Sequence, residues 1–175
     1  MPGNRNRVTA GSGSVVCQEA ELKGEITIGT GTVLHPKCRI IAEGGPIYIG
    51  KNNIIEENSV IFNKNVAPLV IGDDNVFEVS CYVEGSRVGN CNTIGTRAKV
   101  LGNTTIGNNC VIGPGCSTES NETVEDMTVV YGQQPSRRIQ SSILPGHSSL
   151  HTRHLEYLRE MLPKYNHVKR LESSG

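Results

Sequence analysis

Residues 87–113 read RVGNCNTIGTRAKVLGNTTIGNNCVIG, and an aliphatic residue returns in this stretch at every sixth position. The five positions are Val88, Ile94, Val100, Ile106 and Ile112. Glycine follows four of the five, and a small residue or asparagine stands four positions after each. A period of six fits neither an amphipathic helix nor an alternating strand, but it fits a short strand followed by a sharp bend. Three such bends close a triangular coil of about eighteen residues, so this stretch predicts a parallel β-solenoid.

The same repeat extends outward over most of the chain. Apolar residues hold the repeat position in further series, which are Val16, Leu22, Ile28, Leu34 and Ile40; Ile49, Ile55 and Ile61; Ile71, Phe77 and Val83; and finally Val124 and Val130. Short insertions at 43–47 and 63–68, and a missing residue before Val88, interrupt the register. With Thr118 counted, nineteen repeat positions predict an all-β solenoid of about six triangular coils.

The composition agrees with this fold and excludes several classes of protein. Val and Ile total 32, against 10 Leu and 5 Ala, which favours strands over a helical bundle. Seventeen basic residues balance seventeen acidic ones, so the chain lacks the basic excess of a nucleic-acid-binding protein. No signal peptide and no apolar run long enough to span a membrane is evident, and we expect a cytoplasmic protein with reduced cysteines.

The cysteines are expected to fill space in the core. No Cys-x-x-Cys pair occurs among the six cysteines. Four of them occupy the small inward position of the repeat, namely Cys38, Cys81, Cys110 and Cys116. A buried cysteine behaves as a small apolar residue, so these four are predicted to be structural and not nucleophilic.

The ends of the repeat predict the domain boundaries. We expect a flexible segment at 1–14, the solenoid at 15–133, a linker at 134–148 and a helix at 149–170. The helix follows from Leu155, Leu158 and Leu162, which recur at helical spacing. Residues 15–136 have a net charge of −6 and residues 137–175 of +4. The helix is therefore predicted to pack on the solenoid, with packing on a partner as the alternative.

The repeat resembles that of the left-handed parallel β-helix proteins of the hexapeptide family, and the left-handed winding is implied by this resemblance alone. One enzyme class of the family, the γ-class carbonic anhydrases, binds zinc through three histidines. The resemblance places those ligands at Phe62, Asn90 and Gly95. None of these residues supplies an imidazole, so we expect no metal, no cofactor and no catalytic residue.

Histidines outside these three positions leave two alternative functions open, an acyltransferase and a binder of a metal or small molecule. The hexapeptide acyltransferases use a histidine as general base. Only His35 lies in the solenoid, one position after an inward residue, and we expect it to face solvent. The tail carries His147, His151 and His154 at i, i+4 and i+7, a spacing that would place three imidazoles on one helix face for a metal or small molecule. The simpler interpretation is a polar helix face.

Longer stretches resemble the β-helix subunits of the dynactin pointed-end complex. They are Leu22-Lys23-Gly24-Glu25, His35-Pro36-Lys37, Ile54-Ile55-Glu56-Glu57, Asn75-Val76-Phe77-Glu78-Val79 and Leu162-Pro163-Lys164-Tyr165. The resemblance covers roughly residues 15–170, and the loop at 63–69 is shorter than expected for vertebrate members.

This resemblance implies a non-catalytic scaffold subunit that supports dynein-driven cargo transport along microtubules. The implied partners are dynactin subunit 5, dynactin subunit 4 and the pointed-end actin-related protein, with dynein and cargo as indirect ones. The implied location is the cytoplasm and its cytoskeleton, with kinetochores in mitosis, and self-association is expected when partners are absent. A hexapeptide enzyme of either class remains the alternative, and a binder that uses the tail histidines is the third hypothesis.

Overall fold

A computed structural model describes residues 6–132, 136–140 and 147–173, with side chains described from 149 onward in the last range. Short strands stack there into three sheets. Sheet 1 contains β1 (Arg7–Ala10), β4 (Glu25–Ile28), β7 (Ile47–Ile49), β10 (Leu69–Ile71), β13 (Arg87–Val88), β16 (Thr105–Ile106), β18 (Thr123–Val124) and β21 (Glu172–Ser173). Sheet 2 contains β2 (Val15–Val16), β5 (Val33–Leu34), β8 (Ile54–Ile55), β11 (Val76–Phe77), β14 (Thr93–Ile94), β17 (Val111–Ile112), β19 (Thr128–Tyr131) and β20 (Ser136–Ile139). Sheet 3 contains β3 (Glu21–Lys23), β6 (Arg39–Ala42), β9 (Val60–Asn63), β12 (Tyr82–Val83) and β15 (Lys99–Val100), and the helix is α1 (His147–Tyr165).

The repeat residues form columns along the axis of the β-helix, as the sequence predicts. In sheet 1 the register places Ile28 beside Ile49, Ile49 beside Ile71 and Ile71 beside Val88, and all four are at most 3% exposed. Burial of each such side chain contributes about 1.5–3 kcal/mol. The core is therefore a stack of aliphatic layers that one residue per repeat supplies.

The β-helix has about seven coils, one more than the sequence analysis predicts. Sheets 1 and 2 each contain seven parallel strands of the solenoid. The additional strand is β1, which lies inside the segment predicted to be flexible and pairs with β4. Ala10 stands six residues before Val16 and so keeps the register, but its small side chain does not mark the repeat in the sequence. The part of that segment at 1–5 lies outside the described residues.

Inside one corner, polar side chains form a hydrogen-bonded ladder. The backbone N–H of Asn75 donates to Oδ1 of Asn53 at 2.9 Å, and that of Asn92 donates to Oδ1 of Asn75 at 2.8 Å. The Nδ2 of Asn75 donates in turn to the carbonyl oxygen of Gly89 at 2.8 Å. The three asparagines are at most 1% exposed. The prediction that the small slot points inward is thus confirmed, and asparagine there satisfies backbone groups that water does not reach.

Helix α1 packs on the outer face of sheet 2 through apolar contacts. Leu155 and Leu158 are buried against Val33 and Ile54. On the polar side, Nη2 of Arg159 donates to the carbonyl oxygen of Gly31 and to Oδ1 of Asn52, both at 2.8 Å. The helix ends at Tyr165, five residues before the predicted end at 170.

Residues after the helix turn back and pair with the first coil. Strand β21 is parallel to β1, and Val168 forms an antiparallel bridge with Cys17. Leu171 packs against the apolar core. This segment therefore closes one end of the β-helix, an arrangement that the sequence analysis does not predict.

The predicted linker at 134–148 contains strand β20, which is antiparallel to β19. Nη2 of Arg137 lies 2.6 Å from Oε1 of Glu122, and the Arg138 guanidinium lies 5.6 Å from the ring centroid of Tyr131. The hexapeptide pattern stops here because an antiparallel strand does not continue the coil. Residues 133–135 and 141–146 of this region lie outside the described part. Among the described residues, no helix is long and apolar enough to cross a membrane.

Candidate interaction surfaces

The three positions that correspond to zinc ligands in carbonic anhydrases lie on different sheets. Phe62 belongs to β9 of sheet 3, Asn90 follows β13 of sheet 1, and Gly95 follows β14 of sheet 2. Oδ1 of Asn90 accepts a hydrogen bond from the backbone N–H of Asp73 at 2.7 Å, in a second ladder on an exposed corner. A Cβ at Gly95 would lie 2.7 Å from the carbonyl oxygen of Ile112. The backbone around Gly95 therefore excludes any side chain from the third ligand position.

His35 is buried, contrary to the expectation that it faces solvent. Its exposed fraction is 8%, and its Nε2 has no hydrogen-bond partner in the described part of the chain. Nδ1 lies 4.0 Å from Oε1 of Glu57. Burial, with a smaller contribution from His154, lowers the pKa of His35, and Glu57 partly opposes this shift. A general base must reach its substrate, so the burial of His35 argues against an acyltransferase role.

Burial of His35 predicts a loss of stability in acid. Because its pKa in the folded state lies below 6.5, the unfolded chain binds a proton more tightly, and stability falls as the pH drops below about 6.5. The largest loss is about 1.4 kcal/mol at pH 5.5, for a histidine that stays neutral when folded. Urea unfolding of the wild type and of His35→Gln at pH 7.5 and 5.5 measures how much the free energy of unfolding falls between the two pH values. If His35→Gln loses as much stability as the wild type between these pH values, the loss does not come from His35.

The tail histidines do not form a shared site in the described residues. Nε2 of His151 lies 2.7 Å from the carbonyl oxygen of Asn52 and 3.9 Å from Oδ1 of Asp74. His154 is exposed, and the side chain of His147 lies outside the described residues. No group of three or more His, Cys, Asp or Glu able to hold a metal ion occurs in the part that the structure describes. His151 therefore serves to attach the helix.

The predicted role of the inward cysteines agrees with their positions. Cys38, Cys81, Cys110 and Cys116 are at most 3% exposed. Burial raises the pKa of the Cys38 thiol to about 12 and that of Cys81 to about 12. The Cys38 and Cys81 thiols therefore stay protonated at neutral pH and are poor nucleophiles. The burial of all four cysteines agrees with their predicted role as fillers of the core.

The outer face of sheet 3 carries a patch of four apolar side chains. Ile41 pairs with Phe62 in register, and Val60 pairs with Tyr82. All four side chains point away from the core and are half-buried. We call these four residues the sheet 3 patch. Helix α1 packs on sheet 2, away from this face.

Charged side chains border the sheet 3 patch at one end. Nε of Arg39 donates to Oε2 of Glu21 at 2.7 Å, and Nζ of Lys23 lies 2.9 Å from Oε1 of the same carboxylate. Hydrogen bonds from Lys23 and Arg39 lower the pKa of Glu21. An apolar centre with a charged border is the usual anatomy of a protein–protein interface.

Sheet 1 offers a second apolar surface. Tyr48 and Val70 are neighbours in register, and each is 38% exposed. Beside them, the loop at 63–68 is held by Nδ2 of Asn63, which donates to the carbonyl oxygens of Pro46 and Ala67 at 3.0 Å. Val66 in this loop is 87% exposed.

Comparison with solved structures identifies the fold. An N-acyltransferase of Bacillus cereus, AntD, superimposes with a TM-score of 0.68 at 13% identity, over 87% of this chain and 92% of that one. A hexapeptide transferase family protein from Anaplasma phagocytophilum gives a TM-score of 0.64 at 15% identity, over 90% and 92%. Residues 85–118 match the family described as bacterial transferase hexapeptide (six repeats). The predicted left-handed parallel β-helix with a C-terminal helix is thereby confirmed.

Comparison with curated sequences identifies the family. Dynactin subunit 6 of Nematostella vectensis is 44% identical, over 96% of this chain and 95% of its own. Dynactin subunit 6 of Xenopus tropicalis is 41% identical over 90% and 82%, and that of Dictyostelium discoideum is 42% identical over 90% and 85%. The resemblance found in the sequence is confirmed by these relatives. The chain belongs to the dynactin subunit 6 family.

Proposed function

We propose that the chain is a non-catalytic scaffold subunit of the dynactin pointed-end complex. In this role it binds dynactin subunit 5, dynactin subunit 4 and the pointed-end actin-related protein, and it supports dynein-driven cargo transport along microtubules. It acts in the cytoplasm, on the cytoskeleton and at mitotic kinetochores. Family membership supports assignment to dynactin, and the surfaces of the β-helix support the scaffold role.

The observation that carries the scaffold role is the position of Phe62. Where a carbonic anhydrase would place a zinc ligand, this chain places the outward aromatic side chain of Phe62, which pairs with Ile41 in the sheet 3 patch. The strands beneath it are paired on both sides, so the patch is a rigid surface. A rigid apolar face binds a partner without the entropic cost of ordering a loop.

The enzyme alternatives have less support. The solved transferase structures that share the fold are at most 16% identical to this chain, and such a level of identity supports a shared fold but not a shared activity. His35 is buried and Gly95 has no room for a side chain. A metal analysis of the purified protein tests the alternative, because one equivalent of bound zinc would contradict the proposal for the solenoid.

The partners are tested by affinity capture of the tagged chain from cells. The proposed role requires that subunit 5 and the actin-related protein are recovered together with it. Recovery of neither would overturn assignment to the pointed-end complex. Recovery of both with the wild type provides the reference for the surface variants below.

Phe62→Lys is expected to weaken binding to purified subunit 5 by at least about tenfold. An aromatic residue near the centre of an interface typically contributes 2 kcal/mol or more, and a lysine ammonium would lose its hydration there. Because Phe62 faces outward, the melting temperature should stay close to that of the wild type. Titration calorimetry measures the affinity, and circular dichroism checks the fold.

Tyr48→Lys on sheet 1 is the matched control, because it places the same charge on another outer face. It should bind subunit 5 like the wild type. If Phe62→Lys binds normally, the sheet 3 patch is not the interface for subunit 5. If Tyr48→Lys is the defective variant, the interface lies on sheet 1.

A further inference from the structure

The two ends of the β-helix are closed differently. At the first coil, the segment at 166–173 covers both sheet 1 and sheet 2. Strand β21 pairs with β1, and the backbone N–H of Lys169 donates to the carbonyl oxygen of Val16 at 2.7 Å. The N–H of Gln18 donates to the carbonyl oxygen of His167 at 2.6 Å. The chain thus uses its own C-terminal segment to cover strand edges that would otherwise attract other strands.

At the last coil, the described strands cover only sheet 2. Strand β20 lies on β19 in the position that an eighth coil would occupy. In sheet 1, β18 is the last strand, and among the described residues it pairs only with β16. Within the described residues, which leave out 133–135 and 141–146 on either side of β20, no strand occupies the position beyond β18, and β18 presents a free edge there.

A groove occupies this vacant position. Its volume is about 610 Å³, and it is lined by Val124 and Thr128, by Thr123 of β18, and by Arg137, Arg138 and Ile139 of β20. Val124 ends an aliphatic column of sheet 1 and is only 3% exposed, whereas Ile139 is 65% exposed. An extended segment beside β18 would place an apolar side chain next to both.

The groove lining also carries three carboxylates, of Glu119, Glu122 and Glu125, and two guanidinium groups, of Arg137 and Arg138, so acidic charge is in excess by one. Glu122 is paired, since its Oε1 and Oε2 accept from Nη2 and Nε of Arg137 at 2.6 and 3.1 Å. Glu119 and Glu125 line the same groove and are exposed. Within the described ranges, no Lys, Arg or His nitrogen forms an ion pair with either of them.

We propose that an extended segment of a partner protein binds in this groove, pairs with the free edge of β18, and places a lysine or arginine against Glu119 and Glu125. The inference rests on the proposed scaffold role and adds to it the chemistry of one partner segment. Backbone pairing with β18 supplies affinity, and alternate side chains supply specificity. The occupant therefore has an aliphatic residue facing Val124 and Ile139 and a basic residue facing the carboxylates.

A defined peptide tests the groove itself. Residues 85–90 of this chain, GSRVGN, contain a strand of sheet 1 with an inward valine and an outward arginine. Titration of the capped peptide into the ¹⁵N-labelled full chain should shift the amide signals of Thr123 and Glu125 and of the facing Ile139. The same peptide with Glu for Arg87 should bind about three- to fivefold more weakly, which is the range of one exposed charge pair. Shifts confined to other surfaces, or no shifts at all, would overturn the proposal.

The double variant Glu119→Lys/Glu125→Lys provides the reciprocal control. Both residues are exposed, so the fold should be retained. The arginine peptide should lose affinity for this variant, and the glutamate peptide should gain it. An unchanged preference for the arginine peptide would contradict the proposed charge contact.

Hydrogen exchange in the assembled complex tests the groove in its proposed setting. Amides of residues 119–126 should exchange at least tenfold more slowly in dynactin than in the isolated chain. If the chain is recovered with the pointed-end subunits but these amides exchange equally fast, the groove proposal fails and the scaffold role stands. If no complex is recovered, the scaffold role fails, and the peptide titration still tests whether an extended segment binds in the groove.

Discussion

Asn75→Leu is expected to lower the free energy of unfolding by roughly 2–6 kcal/mol. The substitution removes the oxygen that accepts from the N–H of Asn92 and the Nδ2 that donates to the carbonyl oxygen of Gly89. Each buried polar group left without a partner costs about 1–3 kcal/mol. Asn75 is 0% exposed, so water cannot replace the lost bonds. Denaturation followed by circular dichroism measures the change.

Asn108→Ala is the matched control for this prediction. Asn108 belongs to the exposed ladder, where its Oδ1 accepts from the N–H of Asn90 at 2.7 Å. Water can take over this bond on the exposed corner, so the loss should be only about 0.5–1.5 kcal/mol. Equal losses for Asn75→Leu and Asn108→Ala would show that the buried ladder stabilises the fold no more than the exposed ladder does. The comparison shows whether the stabilisation comes from hydrogen bonds to buried backbone groups or from asparagine at any corner of the repeat.

Gly95→Ala is expected to destabilise the β-helix by roughly 3 kcal/mol, at the upper end of the cost of overpacking. The added Cβ would lie 2.7 Å from the carbonyl oxygen of Ile112 and 2.7 Å from the backbone nitrogen of Pro114. Both atoms belong to the next coil, and neither can move aside as a flexible side chain can. Two coils must therefore separate locally to accept a single methyl group.

Gly102→Ala is the corresponding control, because the nearest atom to its Cβ is the side-chain Oγ of Ser120 at 3.3 Å. That side chain can rotate, so the change should stay below about 1 kcal/mol. Similar losses for Gly95→Ala and Gly102→Ala would contradict the close packing at Gly95.

The packing at Gly95 also predicts that a zinc site cannot be rebuilt by substitution. The triple variant Phe62→His/Asn90→His/Gly95→His should be less stable than the wild type and should hold no stoichiometric zinc. Metal analysis after gel filtration measures the zinc content. One equivalent of zinc in a folded triple variant would show that the backbone can still accommodate the ligand set. The absence of a zinc site would then depend on the side chains alone.

The repeat explains why much of the β-helix could be predicted. A residue every six positions meets the same backbone geometry, so Ile28, Ile49 and Ile71 face the axis whatever follows later in the chain. The same local rule places Cys38 and Asn75 in the narrow corner. The resemblance to carbonic anhydrases, placed on the same repeat, assigns Phe62, Asn90 and Gly95 to the ligand positions, and none of the three is a histidine.

Residues that depend on distant contacts could not be predicted in this way. Ala10 keeps the register, but Arg7–Ala10 becomes a strand because β4 and β21 lie on either side of it. His35 stands at an outward position of the repeat and is nevertheless buried. The outer face of sheet 2 becomes covered only when α1 folds onto it.

The amino-acid sequence by itself therefore determined the coil and the residues that face its axis. Those properties follow from local backbone geometry that repeats every six residues. Only the tertiary structure decided which surfaces remain open. Both the closure of the first coil by 166–173 and the free edge of β18 depend on strands that pair across long sequence separations. Such pairings leave no period in the sequence, and for this reason the proposed docking surfaces were found only in the folded chain.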